Sequence, residues 1–126
     1  MTKHGHVHWS ELQTRDVESA RKLYGETFGW SFESMEMEDG LYWVAMQDGE
    51  AVGGLFEMHG PHFEGVPTMW MTYFAADDVD AALGKATTLG AEIVRPAFDV
   101  PGVGRIAILK QPDGAVVGWM TPSEGG

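Results

Sequence analysis

Asp16-Val17-Glu18-Ser19-Ala20 and Asp78-Val79-Asp80-Ala81-Ala82 are two versions of one pentapeptide, and they begin 62 residues apart (78 minus 16) in a chain of 126 residues. Each starts with aspartate and carries a second acidic residue two positions later. An aspartate N-cap followed by negative charge in the first turn is typical of the start of a helix. The helical patterns that follow end at Gly29 and Gly90, and glycine commonly terminates a helix. The spacing predicts a chain made of two similar halves.

Each half has the same order of elements around its helix. Strand-like alternation precedes the helices at 7–14 and 69–75, and shorter strand-like runs follow them. These runs lie at 30–35, 41–47, 51–58, 92–95, 105–109 and 116–120. We therefore predict an α+β fold in which two tandem β-α-β-β-β modules, about 7–60 and 68–122, form a curved mixed sheet around a cleft. Residues 59–67 contain two prolines and two glycines and are the predicted linker within one domain of residues 1–126.

The first helical pattern has apolar residues at three- and four-residue spacing. Its members are Val17, Ala20, Leu23, Tyr24 and Phe28. Residues at this spacing share one side of a helix, so the pattern predicts one apolar stripe packed against the sheet.

The amino-acid composition limits which classes of protein and which kinds of binding partner are possible. The formal net charge is −11, 44% of the residues are hydrophobic, and cysteine is absent. An acidic surface disfavours nucleic acid, and the lack of cysteine excludes disulfides and thiolate metal ligands. No apolar run approaches the roughly 18 residues that span a bilayer, and no signal-peptide pattern is present. We therefore predict a soluble cytoplasmic protein that binds neither nucleic acid nor membrane.

The first strand assigns its side chains to two faces. Successive side chains of a strand point to opposite faces, so Trp9, Glu11 and Gln13 share one face, with Leu12 and Thr14 on the other. A register that sent Glu11 and Gln13 into the core would bury two polar groups, at a cost of several kcal/mol by rough estimate. We therefore place Trp9, Glu11 and Gln13 in the cleft.

Several short motifs, in order and duplicated, make the chain similar to a known family. They are residues 9–16 (WSELQTRD), 23–24 with 28–30, 73–74 with 77–82, 101–105 (PGVGR) and 111–114 (QPDG). Together they resemble the vicinal oxygen chelate superfamily, the group of glyoxalases, bleomycin-resistance proteins and extradiol dioxygenases. The resemblance covers nearly the whole chain and implies a fold of paired modules, but it does not specify a reaction.

Metal enzymes of that family hold a divalent ion through four side chains, one from the first and one from the last strand of each half. The corresponding positions here are Trp9, Met71, Gly53 or Gly54, and Gly118 or Trp119. None of them offers the carboxylate, amide or imidazole that such ions prefer. We therefore predict no metal site and no cofactor in this protein.

The residues predicted to line the cleft are mostly aromatic or apolar. They are Trp9, Gln13, Gly54, Phe56, Met71 and Tyr73, with Arg105 near the rim. Flat rings favour a planar or apolar small-molecule ligand. Gly53 and Gly54 would leave room for that ligand where family enzymes keep a metal. Arg105 follows a glycine-rich loop and could hold an anionic group, or it could pair with a surface acid.

Glu11 is the acid that alternation places in the cleft. Partial desolvation raises the pKa of a carboxyl group and suits it to exchange a proton near neutral pH. Glu11 is thus a candidate catalytic residue, a candidate ligand contact, or a carboxylate with a purely structural partner.

The histidines suggest a second, weaker metal hypothesis. His4, His6 and His8 alternate and would share a face in an extended strand, where such a pattern can chelate. The alternative is a polar, exposed N-terminus.

Three functions remain open from the sequence. The first is a metal-free small-molecule binding protein of the bleomycin-resistance type, which forms a homodimer. The second is a glyoxalase-like lyase, isomerase or other enzyme that uses Glu11 or a metal held elsewhere. The third is a non-catalytic dimeric interaction module, in which residues 59–67 could permit exchange of halves between subunits.

Overall fold

The computed structural model describes residues 3–37, 40–100 and 103–123. In chain order the elements are β1 (Val7–Thr14), α1 (Val17–Phe28), β2 (Ser31–Met37), β3 (Gly40–Gln47), β4 (Glu50–Glu57), a 3-10 turn (Pro61–Phe63), β5 (Met69–Ala75), α2 (Val79–Thr88), β6 (Glu92–Val100), β7 (Gly104–Lys110) and β8 (Val116–Pro122). Neither helix has the length and apolar character needed to cross a membrane, as far as the described residues extend.

The chain divides into two compact units. Residues 9–70 form the N-terminal unit, and residues 71–126 with residues 1–8 form the C-terminal unit. In the N-terminal unit the strand order is β2-β3-β4-β1, and β1 runs parallel to β4. The other two pairings are antiparallel. The C-terminal unit repeats this arrangement as β5-β8-β7-β6, with β5 parallel to β8. The predicted α+β fold with two β-α-β-β-β modules is confirmed.

Both helices begin at the aspartates identified in the repeat. The Asp16 carboxylate accepts a hydrogen bond from the backbone N–H of Ser19 at 3.0 Å, and Asp78 accepts one from Ala81 at 3.1 Å. Gly29 ends α1 in the left-handed conformation, with φ of 80°. These caps satisfy backbone groups that a helix end would otherwise leave unpaired.

The core of the N-terminal unit lies between its sheet and α1. It contains Leu12, Val17, Ala45 and Leu55, with Ala20, Trp30, Phe32 and Trp43 packed against them. The prediction of one buried stripe on α1 is only partly right, because Leu23 is 58% and Phe28 57% exposed. Leu23 lies roughly 240° around the helix from Val17 at 3.6 residues per turn, so it cannot share its side. Phe28 occupies the last position of α1, at the edge of the packed face.

The exposed apolar end of α1 joins other aromatic rings in what we call the aromatic surface cluster. Its members are Tyr24, Phe28, Trp30 and Trp70. Tyr24 stacks on Trp30 with ring centroids 4.7 Å apart, and Trp70 donates its indole N–H to the Tyr24 hydroxyl at 3.1 Å. The cluster leaves several apolar side chains in contact with solvent.

The C-terminal unit has a separate core against α2. It contains Val79, Leu83, Ala86, Ala107, Leu109 and Val117. Its strand β6 is longer than predicted, because it continues through Pro96 to Val100. The ladder between β6 and β7 changes register twice around Arg95. β6 is also the last strand in the order of this unit. A sheet tolerates proline at irregular pairings and on such strands.

Of the two predicted loops, one contains regular structure and the other lies partly outside the described residues. Residues 59–67 include the 3-10 turn Pro61–Phe63, so the predicted linker has some regular structure. Residues 101 and 102 of the predicted glycine-rich loop lie outside the described residues, as does 124–126 at the end of the chain.

Candidate functional site

The face of the N-terminal sheet opposite α1 carries the predicted polar and aromatic residues. Leu12, Ala45 and Leu55 face α1, so their immediate neighbours in each strand face the other way. We call this surface the site face. It contains Trp9, Glu11, Gln13, Tyr42, Gly54 and Phe56. The register brings Glu11 beside Gly54, and Gln13 beside Phe56.

A chain of hydrogen bonds links three of these side chains. The Trp9 indole N–H donates to the Tyr42 hydroxyl oxygen at 2.8 Å. The Tyr42 hydroxyl in turn bonds to the Glu11 carboxylate. Burial, followed by the negative charge of Glu11, raises the pKa of Tyr42 above its ordinary value. Tyr42 therefore keeps its proton and acts as the donor to Glu11.

Tyr42 lies directly over the backbone of Gly54. A Cβ atom added to Gly54 would come within 1.7 Å of the Tyr42 hydroxyl oxygen and 2.3 Å of the ring carbon that bears it. The expectation that Gly53 and Gly54 leave room for a ligand is therefore wrong at Gly54, because the tyrosine fills that space. Gly53 faces the other way, and a Cβ there would lie 3.1 Å from the Ser10 carbonyl oxygen.

Phe56 continues the site face toward the loop that follows β4. Its ring meets the ring of Phe63 edge-on, with centroids 5.5 Å apart. Phe63 also lines a cavity of about 610 Å³ together with Arg15, Met58 and His59. A volume of several hundred cubic ångströms is typical of small-molecule sites. This cavity was not predicted from the sequence.

Met71 and Tyr73 belong to the C-terminal unit and are 3% and 6% exposed. Phe74 packs against the core beneath α2, so Met71 and Tyr73 lie on the opposite face of β5. The Tyr73 ring covers Gly118, its partner in the ladder between β5 and β8. A Cβ on Gly118 would lie 2.2 Å from that ring. Tyr73 thus fills the space above a glycine, as Tyr42 does in the N-terminal unit.

Arg105 is engaged in ion pairs on the helix side of the C-terminal sheet. Its guanidinium donates to both carboxylate oxygens of Asp80, at 2.7 and 3.2 Å, and to Asp99 at 3.1 Å. Asp80 lies in the first turn of α2, and Arg105 alternates with the core residue Ala107. This face is opposite to that of Tyr73, which corrects the placement of Arg105 with the cleft residues. The alternative of an arginine paired to surface acids describes the observed arrangement.

The residues at the family's metal positions do not fit a divalent ion. In the N-terminal unit these positions hold Trp9, an indole that donates to Tyr42, and Gly54 beneath the tyrosine ring. In the C-terminal unit they hold Met71 and Gly118, the latter beneath Tyr73. Within residues 3–37, 40–100 and 103–123, no three histidine, cysteine, aspartate or glutamate side chains converge as a metal site would require.

The N-terminal histidines do not form the predicted extended row. Residues 4–6 lie in a turn, with the His6 N–H bonded to the Lys3 carbonyl at 3.0 Å. The His4 Nδ1 accepts a hydrogen bond from the Asp77 N–H at 2.9 Å. Because β1 begins at Val7, His4 and His6 do not alternate along a strand with His8.

Comparison with known proteins places these features in a family. The sequence profile described as "Glyoxalase/Bleomycin resistance protein/Dioxygenase superfamily" matches residues 5–118. "Putative glyoxylase CFP32" of Mycobacterium tuberculosis is 38% identical over 118 residues, which are 92% of this chain and 45% of that protein. "Anthracycline biosynthesis protein DnrV" of Streptomyces peucetius is 31% identical over 119 residues, covering 85% of this chain and 43% of that protein.

The chain spans less than half the length of these two relatives. Among solved structures, methylmalonyl-CoA epimerase from Mycobacterium tuberculosis has the same fold, with a TM-score of 0.65 and 13% identity over 98% of this chain and 93% of that chain. The agreement between profile, relatives and fold extends over nearly the whole sequence. The chain therefore belongs to the Glyoxalase/Bleomycin resistance protein/Dioxygenase superfamily.

Proposed function

We propose that this protein binds a small planar or apolar molecule on the site face of the N-terminal unit, without a metal ion. The observation that carries the proposal is the hydrogen-bonded chain from Trp9 through Tyr42 to Glu11. It fixes an aromatic ring and a carboxylate side by side on one face of a sheet. Rings supply contact area for a flat ligand, and a carboxylate anchors its polar group.

The named relatives support a ligand of this kind. One of them is named for anthracycline biosynthesis, and anthracyclines are planar polycyclic compounds. Because the chain covers less than half of that protein, the ligand class is carried over only as part of the proposal. Gln13 and Phe56 of the site face remain proposed contributors to binding. Gly54 is left out because Tyr42 fills the space above it, Met71 and Tyr73 because they belong to the C-terminal unit and are almost fully buried, and Arg105 because Asp80 and Asp99 engage it. We also keep a cytoplasmic location as part of the proposal.

A thermal-shift screen tests the proposal directly. A ligand that binds only the native state raises apparent stability, by about 2.7 kcal/mol at a concentration 100 times its Kd. A panel of planar compounds, including an anthracycline, should contain molecules that stabilise the wild-type protein. Trp9→Ala should weaken their binding roughly two- to twelvefold, because the loss of a ring contact costs about 0.5–1.5 kcal/mol.

Trp70→Ala provides the matched control for Trp9→Ala. Trp70 also donates its indole N–H to a tyrosine, but it lies in the aromatic surface cluster rather than on the site face. Equal loss of binding in the two variants, or no stabilisation by any compound, would refute the proposed site. Metal analysis of untagged protein tests the proposal that binding needs no metal ion. A stoichiometric, tightly held divalent ion would overturn that part of the proposal.

A glyoxalase-like enzyme is the second candidate, and the position of Glu11 supports it. A carboxylate fixed by a neutral tyrosine can remove a proton from a carbon next to a carbonyl group. The relative named as a glyoxylase supports the same class of chemistry. Proton transfer would be detected as incorporation of solvent deuterium into a 2-oxoaldehyde–thiol adduct. Wild-type protein should show it, and Glu11→Gln should abolish it, if this candidate is correct.

We also propose that the protein forms a homodimer through the aromatic surface cluster. Aromatic side chains are enriched at the centres of protein interfaces. Phe28 and Trp70 of this cluster are 57% and 39% exposed in the single chain, and an exposed apolar patch often marks an interaction site. A dimer that neither binds a ligand nor turns one over would leave the interaction module as the remaining function.

A further inference from the structure

We propose that the cavity beside the 3-10 turn binds the carboxylate of a small apolar acid, with Arg15 as the side chain that holds the anion. The cavity measures about 610 Å³, and all its lining residues belong to the N-terminal unit. It is a site in its own right, and it does not depend on the proposed binding of a ligand on the site face. Arg15 was not among the candidate residues predicted from the sequence.

Hydrogen bonds hold the walls of this cavity in fixed positions. The chain after β4 is attached to the end of β1, because the Met58 N–H donates to the Thr14 carbonyl at 2.8 Å. The Phe63 carbonyl, at the end of the 3-10 turn, accepts from the Val66 N–H at 3.0 Å. It also accepts from the Arg15 guanidinium at 2.5 Å. A cavity whose walls are already ordered loses less conformational entropy when a ligand binds.

Arg15 supplies a positive charge that no described carboxylate neutralises. A guanidinium has five N–H donors, and Arg15 uses one of its nitrogens on the Phe63 carbonyl. Within the described residues Arg15 takes part in no ion pair, although the chain has 19 aspartates and glutamates and only 8 lysines and arginines. Arg105, by contrast, is bound by two carboxylates. The remaining donors of Arg15 are therefore available to an anion from outside the protein.

The rest of the lining favours an acid with an apolar body and a single negative charge. Met58, which is 2% exposed, lines the cavity together with Phe63 and Val66. An apolar body placed against them is removed from water. Glu64 also lines the cavity, and it adds to the repulsion that a net charge of −11 exerts on anions. A carboxylate has one charge and matches the planar fork of Arg15, whereas a phosphate meets stronger repulsion.

Three probes with one ring system test the proposal. We would measure Kd for 1-naphthylacetic acid, 1-naphthylacetamide and 1-naphthyl phosphate by calorimetry, at about 0.15 M salt. The acid should bind about fivefold more tightly than the neutral amide, which is the upper end of what an exposed ion pair contributes. The phosphate should bind more weakly than the acid. The net charge of the protein favours the amide, so it cannot produce this order. An acid that binds no better than the amide, or more weakly than the phosphate, would overturn the inference.

Variants of the lining identify the group that holds the anion. Arg15→Gln should reduce the acid-to-amide ratio to about one, and Arg15→Lys, which keeps the charge but not the planar fork, to about two. Glu64→Gln should raise the ratio, because it removes the opposing carboxylate. Lys22→Gln is the matched control, since it removes one positive charge from the exposed surface of α1, outside the cavity. A ratio that survives in Arg15→Gln, or that falls equally in Lys22→Gln, would refute the role of Arg15.

A measurement on the wild-type protein covers the case in which the Arg15 variants do not fold. The acid should shift the NMR signals of the Met58 and Val66 methyl groups, whereas those of Leu109, in the core of the C-terminal unit, should stay in place. A shift confined to the Trp9 indole N–H would place the acid on the site face and overturn the inference. No shift of any signal would also overturn it, while leaving the proposed function of the site face to its own screen.

Discussion

Gly54 and Gly118 both lie beneath a tyrosine ring, but the two rings can yield to different degrees. At Gly54 the nearest atoms belong to the far end of Tyr42, the hydroxyl oxygen and the carbon that bears it. At Gly118 the contacts reach back along Tyr73 to the ring carbon next to its Cβ, at 3.0 Å. A side chain can swing its tip away more easily than its base. The position of the contact therefore sets the cost of a larger residue.

We predict that Gly118→Ala is more destabilising than Gly54→Ala. Overpacking a buried site typically costs about 1–3 kcal/mol, and we expect Gly54→Ala near the low end and Gly118→Ala near the high end. Urea denaturation measures both. Gly84→Ala is the control, since a Cβ in the middle of α2 meets nothing within 4 Å, and it should stabilise the protein by up to about 1 kcal/mol. Equal effects at Gly54 and Gly118 would contradict this account of the two tyrosines.

The ion pair of Arg105 gives a pH-dependent prediction. The hydrogen bonds from Arg105 lower the pKa of the Asp80 carboxyl below its ordinary value. Because the pKa of Asp80 is lower in the folded state, the ion pair stabilises the protein fully at pH values above the ordinary carboxyl pKa of about 4. This stabilisation is lost as the pH falls through the lowered pKa of the folded state.

Arg105→Gln should therefore raise the pKa of Asp80 toward its ordinary value and flatten the loss of stability in acid. An NMR titration of the Asp80 carboxyl measures the pKa in each protein. Asp99→Asn removes the other partner of Arg105 but keeps the contact to Asp80, so it should change that pKa much less. A pKa of Asp80 that is the same in wild type and Arg105→Gln would exclude the ion pair as its cause.

At the scale of the elements, the two helix starts rest on single side chains. Asp16→Ala and Asp78→Ala should each destabilise the protein by about 1 kcal/mol, because an N–H in the first turn loses its acceptor. Asp16→Asn keeps a side-chain oxygen and should cost only a few tenths of a kcal/mol. Thermal denaturation of the three variants checks the prediction. An asparagine variant as unstable as the alanine variant would indicate that charge, rather than capping, is important at Asp16.

These caps and the strand faces could be predicted from the sequence because each depends on local spacing. Asp16 and Asp78 were recognised from the repeat, and alternation assigned Trp9 and Glu11 to one face. Tyr42 was missed, although alternation on β3 separates it from the core residue Ala45 and could have identified it. Its contact with Glu11 depends on the order β3-β4-β1, which local spacing does not specify.

The errors have the same origin in tertiary structure. Arg105 is held toward α2 by Asp80, which is 25 residues away in the chain, and it also pairs with Asp99, six residues away on the neighbouring strand β6. The exposure of Leu23 depends on how much of α1 the sheet covers. β6 continues through Pro96 because its pairing with β7 is irregular there. In each case a contact between two different elements, which the spacing within one element does not reveal, overrides the local pattern.

At the scale of the whole molecule, the net charge and the exposed aromatic side chains have opposite effects on the association of two copies. A net charge of −11 on a 13.8 kDa chain opposes association of two copies, whereas the aromatic surface cluster favours it. Salt screens charge repulsion and leaves apolar contacts largely unaffected. The balance between monomer and dimer should therefore shift with ionic strength.

We predict that light scattering gives about twice the mass of one chain, and that the dimer fraction rises between low salt and about 0.5 M salt. Phe28→Glu should produce a monomer at both salt concentrations, because it places a charge in the apolar contact at the end of α1. Val94→Glu is the matched control, since Val94 is equally exposed, at 57%, but lies on β6 in the C-terminal unit. Dissociation by Val94→Glu instead of Phe28→Glu would move the interface to β6. If the wild-type protein is a monomer at every salt concentration, the homodimer is removed from the proposal. An exposed aromatic cluster that does not associate when charge repulsion is screened has no affinity for a second copy.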